Sequence, residues 1–170
     1  DRIINRISVN KDIDGLKNNN YFVPCTPLGI LNLIDYYKID VANKNVVVIG
    51  KSNLVGKPIS ELLIKRGSNV IICDSKTNNL IDYTRNADII IIAIGKAKFL
   101  TKDMVKENSI IIDVGINRVD GKICGDVDFD DVKDKVSMIT PVPGGVGPMT
   151  ISSLALNLYK AYELTMKEDE

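Results

Sequence analysis

A chain of 170 residues, 45% hydrophobic and 26% charged, carries enough apolar material for one good core and reads as a soluble globular domain with extensions. Its 22 basic and 22 acidic residues cancel, so no basic excess draws it to nucleic acid or an acidic membrane surface, and no apolar run reaches the roughly 20 residues of a membrane span. The absence of histidine excludes Ser-His-Asp triads, HExxH metal sites and imidazole acid/base chemistry, while Cys25, Cys73 and Cys124, odd in number and far apart, argue against a disulfide framework or a zinc site and fit a reducing compartment.

Asp1 to Asn10 is too short to assign, and without an initiator Met a further segment is expected upstream. Lys11 to Gly15 is a charged turn and Asn18 to Asn20 continues as loop. Pro24-Cys25-Thr26-Pro27 fixes an extended backbone, and Ile30, Leu31, Leu33, Ile34 and Tyr37 then recur at helical spacing, so a helix is predicted over Leu28 to Tyr37 with Thr26 as N-cap and Pro27 as its first residue. Asn43 to Ile49 is the first predicted strand, followed by a helix over Lys57 to Arg66 with Gly67 as its stop. A second strand is predicted at Val70 to Cys73, a short helix at Asn79 to Asn86, and a third strand at Asp88 to Ile94, whose unbroken apolar run suits burial on both faces. Thr101 to Lys106 reads as a short helix, Ser109 to Val114 as a fourth strand, and Val119 to Val127 as a hairpin turning at Asp120-Gly121. Val136 to Thr140 is the fifth strand, Pro141 to Pro148 a loop, and Met149 to Met166 the closing helix.

Strands alternating with helices predict right-handed crossovers and an α/β, Rossmann-type parallel sheet with helices on both faces. In such sheets ligands bind at the carboxyl ends of the strands, where small and polar residues gather here: Gly50-Lys51-Ser52, Asp74-Ser75-Lys76, Gly95-Lys96, Gly115-Ile116-Asn117 and the Pro141 loop. The pattern points to a nucleotide-type ligand. The stretch NVVVIGKSNLVGKP, from Asn45 to Pro58, is the central feature: a strand, a tight turn and a helix start, where unpaired backbone amides and the helix dipole suit a phosphate. Its spacing is G-x-S-x-x-x-G rather than G-x-G-x-x-G, so by itself it is equally an ordinary strand-to-helix turn.

Seven stretches together closely resemble the bifunctional methylenetetrahydrofolate dehydrogenase/cyclohydrolase family. They are KDIDG at Lys11, PCTP at Pro24, VVVIGKSNLVGKP at Val46, DSKT at Asp74, IIDVGIN at Ile111, GDV at Gly125 and ITPVPGGVGPMT at Ile139. The resemblance implies oxidation of 5,10-methylenetetrahydrofolate by a nicotinamide cofactor to the methenyl form, then hydrolysis to 10-formyltetrahydrofolate. It implies that Gly50, Lys51 and Ser52 form the phosphate-binding turn, that Ser75 lies near the adenosine ribose 2′-phosphate, and that Ile116 lines the nicotinamide side. It further implies that Asp14 binds the pterin ring, and that Pro143, Gly144, Gly145, Val146 and Gly147 border the folate. One carboxylate can accept two hydrogen bonds from the amide-like edge of a pterin, and glycines let flat rings approach the backbone. A homodimer is implied as well; the expected compartment is the cytoplasm, with an organelle left open.

Three departures qualify the resemblance. The family's Tyr-x-x-x-Lys motif, whose lysine serves the cyclohydrolase step, has no match here and is expected upstream of Asp1. Residues 27–148 are accordingly read as the dinucleotide-binding domain, and 1–26 and 149–170 as remnants of a second α/β domain that pack with a preceding catalytic domain; the chain alone is expected to bind cofactor without turnover. A pure cofactor-binding module is the competing reading, and a Rossmann oxidoreductase acting on a small acid lacks an acid/base residue. Between Gly15 and Pro24 the family has a longer loop, read here as an omission rather than a deletion. Finally, Asp74 at the end of the second strand is the usual sign of NAD, whereas Lys51, Ser75 and Lys76 suit the 2′-phosphate of NADP, which the resemblance favours.

Overall fold

A computed structural model describes residues 3–17 and 21–168, with side chains as far as 166; the loop read at Asn18 to Asn20 and the two chain ends lie outside the described residues. Five parallel strands form one sheet: β1 (Asn45–Ile49), β2 (Asn69–Cys73), β3 (Ile89–Ile92), β4 (Ile110–Asp113) and, after the antiparallel hairpin β5 (Asn117–Val119) and β6 (Lys122–Cys124), β7 (Met138–Ile139). The order across the sheet is β2-β1-β3-β4-β7, so the chain reverses its direction of travel between β1 and β3. That reversal opens a crevice at the carboxyl ends of these two strands.

Strand periodicity explains the core. Val46, Val48, Ile89, Ile91 and Ile112 point to one face, where they meet Ile30, Leu31 and Ile34 of α1 (Cys25–Tyr36) and Ile59 and Leu63 of α2 (Gly56–Lys65). Val47, Ile49, Ile90, Ile92 and Ile111 point to the other, against Leu80 of α3 (Leu80–Thr84) and Val132 of α4 (Phe129–Val132). Both faces are covered, which is why the third strand needs four consecutive isoleucines rather than an alternation. The closing helix α5 (Val146–Glu168) packs along α1.

Several element boundaries move. The first helix begins at Cys25, and its cap is Pro24, whose carbonyl accepts from Leu28 N–H at 2.9 Å; Thr26 and Pro27 are inside the first turn, where a missing N–H goes unnoticed. Thr26 is therefore no cap, and its hydroxyl accepts from Thr150 Oγ1 of α5 instead. The Pro141 loop ends at Gly145, because Val146, Gly147 and Pro148 form the first turn of α5. Thr101 to Lys106 holds only a 3-10 turn at Lys102–Met104, and α4 was not foreseen. The hairpin turns at Asp120 and Gly121, both with positive φ (49° and 77°), the geometry an Asp-Gly pair favours.

Candidate functional site

The glycine turn after β1 is built by close approach. A side chain at Gly50, whose φ is +114°, would meet the Ala93 carbonyl oxygen at 2.4 Å, and one at Gly56 would meet the Gly50 carbonyl oxygen at 1.8 Å. Only glycine lets the end of β1, the end of β3 and the start of α2 come together, leaving a cradle of backbone at the crevice. Ser52 Oγ accepts from Val55 N–H at 3.1 Å and Gly56 N–H at 3.4 Å, which holds the turn entering α2. The N–H groups of Val55, Gly56 and Lys57 are bonded to Ser52 and Pro58 has none, so the amino end of the ten-residue α2 favours a diphosphate through its dipole rather than through open amides.

Lys51 is ion-paired with Asp74 at the end of β2. The Asp74 carboxylate also accepts from Lys76 N–H at 2.9 Å and from Thr77 Oγ1 at 3.3 Å, and the Lys51 contact, with that of the Lys76 amide, lowers its pKa below the usual carboxylate value. Ser75 is exposed beside it. Gly50, Lys51, Ser52, Asp74 and Ser75 thus form one group at the carboxyl edge of β1 and β2.

A second group lies across the crevice. Ile116, 69% exposed, and the segment Pro143 to Gly147 line one cavity of about 190 Å³ at the ends of β4 and β7. Gly144 has φ +105° with open space around it, while Gly145 is forced by the Pro141 carbonyl, which a side chain would meet at 2.5 Å. Val146 differs from its neighbours: its side chain is 3% exposed and packs in the core with α1 and α2, so its contribution to the cavity is through backbone.

Asp14 does not line that cavity. It is exposed in the turn before residues 18–20, close to the buried Cys25 thiol, which burial and then the Asp14 carboxylate push up to about 11. This turn is tied to the closing helix by Asn157, whose amide donates to the carbonyls of Ile13 (2.8 Å) and Val23 (2.9 Å).

Two residues that sequence reasoning missed stand behind the second group. Asp113, 3% exposed, accepts from the N–H groups of Gly115, Asp126 and Val127, and its own N–H donates to Thr140 Oγ1 at 2.8 Å. Asp126, fully buried, accepts from Ile94, Gly95 and Lys96 N–H and from Asn117 Nδ2. Burial, with a smaller push from the nearby Asp126 carboxylate, raises the Asp113 pKa in spite of the three amides. Both lie in stretches singled out for their resemblance, IIDVGIN and GDV, and the only local signal was an acidic residue inside an otherwise apolar or small-residue run.

A larger cavity, about 840 Å³, adjoins that of Ile116 between α1, α5 and the β4-β7 edge, sharing Gly144 and Gly145 with it and having Leu33, Tyr36, Ile112 and Met149 in its wall. It has none of the cations or phosphate-turn amides of the crevice. Among the described residues, no three His, Cys, Asp or Glu are grouped to hold a metal ion, and no helix is long and apolar enough to cross a membrane.

Residues 24–166 match the family described as tetrahydrofolate dehydrogenase/cyclohydrolase, NAD(P)-binding domain. The chain is 47% identical over 174 residues to the bifunctional protein FolD of Bacillus subtilis, covering 96% of the chain and 62% of that relative. The FolD methylenetetrahydrofolate dehydrogenase/cyclohydrolase structure from Campylobacter jejuni superposes with a TM-score of 0.92 at 48% identity, covering 95% of this chain and 62% of that one. The Trypanosoma brucei dehydrogenase-cyclohydrolase, complexed with NADP cofactor and inhibitor, superposes with a TM-score of 0.90 at 30% identity, covering 97% and 62%. The chain therefore spans just under two thirds of the length of these relatives.

Proposed function

The chain belongs to the tetrahydrofolate dehydrogenase/cyclohydrolase family, and from that premise we propose that it is the cofactor-binding part of an enzyme of one-carbon folate metabolism. The reaction is NADP-dependent oxidation of 5,10-methylenetetrahydrofolate to the methenyl form and hydrolysis of that product to 10-formyltetrahydrofolate. The observation that carries the reading is the glycine-built turn at Gly50 to Ser52, at the reversal point of the sheet, with Lys51 and Ser75 beside it.

NADP, when bound, supplies the hydride acceptor. The chain's own residues bind and orient. The Gly50 to Ser52 turn and the positive end of the α2 dipole take the diphosphate, and Lys51, Ser75 and Lys76 take the 2′-phosphate. Asp74 is engaged by Lys51, Lys76 and Thr77, and its pairing with Lys51 keeps that cation at the edge where a 2′-phosphate is expected. Ile116 and the Pro143 to Gly147 segment hold the nicotinamide and the folate ring against each other, and Asp14, which lies outside the cavity they line, is assigned the pterin edge as a two-oxygen acceptor on the family resemblance alone.

In the same reading, 27–148 is the dinucleotide-binding domain, and 1–26 and 149–170 pack with a preceding domain that carries the cyclohydrolase lysine. A homodimer is supported by β2, a free sheet edge on which Ile71 and Ile72 are 44% and 43% exposed. A cytoplasmic setting suits three free cysteines.

The test is titration of the full-length protein with NADPH and NADH, followed by fluorescence, for the parent and Lys51→Ala. The parent is expected to bind NADPH more tightly, and the variant to lose about tenfold for NADPH with little change for NADH. Tighter NADH binding by the parent would overturn the choice of NADP, and binding of neither would overturn the whole reading.

A further inference from the structure

We propose that Asp126 is a positioning residue for the nicotinamide half of the cofactor, fixing the far wall of the crevice without touching the ligand; this rests on the cofactor reading above. Its carboxylate receives four donors from two separate segments. Oδ2 accepts from Ile94 N–H at 2.7 Å and Gly95 N–H at 3.0 Å, and Oδ1 from Lys96 N–H at 2.7 Å and Asn117 Nδ2 at 2.8 Å. The first three donors are the whole turn that follows β3; the fourth is the residue next to Ile116. One side chain thus sets the distance between the turn leaving β3 and the loop leaving β4.

Asp126 is itself fixed. Its N–H donates to Asp113 Oδ1 at 3.0 Å, Val127 N–H donates to Asp113 Oδ2 at 2.9 Å, and the N–H of Asp113 is held by Thr140, the last residue before the Pro141 loop. The glycines on either side leave no slack, since a side chain at Gly115 would meet Asp126 Cγ at 2.2 Å and one at Gly125 would meet Asp113 Oδ2 at 1.8 Å. The walls at the ends of β3, β4 and β7 are therefore referenced to a single buried pair of carboxylates.

The adenosine end lies farther from it, although Ile94, whose N–H Asp126 holds, packs on the phosphate turn, with Cγ2 3.3 Å from where a Gly50 Cβ would lie. Ala93, which presses on Gly50, is held by the sheet through its own N–H to Ile49 O at 2.9 Å, and the Lys51-Asp74 pair lies two strands away from Asp126. A dinucleotide laid across the crevice has its adenosine end at β2 and its nicotinamide end at β4, so a defect at Asp126 is felt mainly at the nicotinamide end.

Asp126→Asn is the diagnostic change. An amide NH2 in place of Oδ2 faces the backbone N–H groups of Ile94 and Gly95, and in place of Oδ1 it faces that of Lys96 even when the Asn117 amide turns its oxygen inward, so in either orientation a backbone donor loses its acceptor and that wall opens. In the full-length protein, NADPH is expected to bind at least about tenfold more weakly, whereas 2′,5′-ADP, which has only the adenosine half, stays within about twofold. Asn117→Ala removes one donor only and is expected to shift NADPH in the same direction by a smaller factor, again sparing 2′,5′-ADP; it decides the question if Asp126→Asn does not fold. Equal losses for both ligands, or no loss for either, in a variant with the parent's urea midpoint would overturn the proposal. Failure of the parent to bind NADPH would overturn the cofactor reading and this assignment with it.

Discussion

Gly56 illustrates how much of the site depends on the absence of one carbon. Because a Cβ there would lie 1.8 Å from the Gly50 carbonyl oxygen, Gly56→Ala must push α2 away from the end of β1. Backbone on both sides of the clash cannot rotate aside as a side chain would, so the expected loss is about 2–3 kcal/mol of stability by urea unfolding, with weakened NADPH binding. A variant of parental stability would mean that the turn has room to spare. Asp74 carries a different prediction, since its negative charge sits where the 2′-phosphate is expected and also occupies Lys51. Asp74→Asn keeps an acceptor for Lys76 N–H and Thr77 while releasing Lys51. NADPH affinity is expected to rise by about threefold, a modest gain because the pair is solvent-exposed and screened, with NADH unchanged or weaker. Unchanged or weaker binding of NADPH would show that Asp74 serves mainly to hold Lys51 in place.

The long closing helix does more than finish the fold. Asn157, 4% exposed on α5, donates to two carbonyls of the segment that carries Asp14, and its side chain also reaches the Cys25 sulfur at 3.7 Å. Asn157→Ala leaves two half-buried carbonyls without that donor, and a loss of about 1–2 kcal/mol is expected together with faster amide exchange around residues 12–17. Unchanged exchange there would separate the segment from α5. The sheet was legible in the sequence at this scale because strands buried on both faces are written as unbroken apolar runs, of which Ile89 to Ile92 is the extreme case. Strand ends were less legible: Ile94 and Val114 extend those runs past the last ladder pairs, where the chain already turns into the site. Helix starts failed where proline gave two plausible readings, at Pro24 against Thr26, and where Gly147 and Pro148 looked like loop but sit in the first turn of α5. The glycine turn was visible because its chemistry is local. Asp113 and Asp126 were not, because most of their partners lie 13 to 32 residues away.

Across the whole molecule, two kinds of carboxylate set opposite responses to pH. Asp35 beside Arg66, Asp74 beside Lys51, Asp88 beside Lys106 and Asp130 beside Lys133 are all lowered, chiefly by those cations. Their contribution is present above the usual carboxylate value and is lost as pH falls through the lower folded value, although exposure and salt keep it small. Asp113 runs the other way. Burial raises it above the usual carboxylate value, so on raising the pH the unfolded chain releases this proton first and the folded state becomes relatively less stable until the folded value is passed. Asp113→Asn can keep a carbonyl oxygen towards Gly115 and Asp126 while losing the contact to Val127, so it is expected to be less stable than the parent at about pH 4. Because the amide does not titrate, its deficit should shrink as pH rises towards 7, with a slope no steeper than about 1.4 kcal/mol per pH unit. Urea unfolding of both proteins at several pH values measures this difference directly. A deficit that stays constant, or widens with pH, would mean that the three amides outweigh burial and that Asp113 is held ionised, as a fixed negative charge behind the nicotinamide wall.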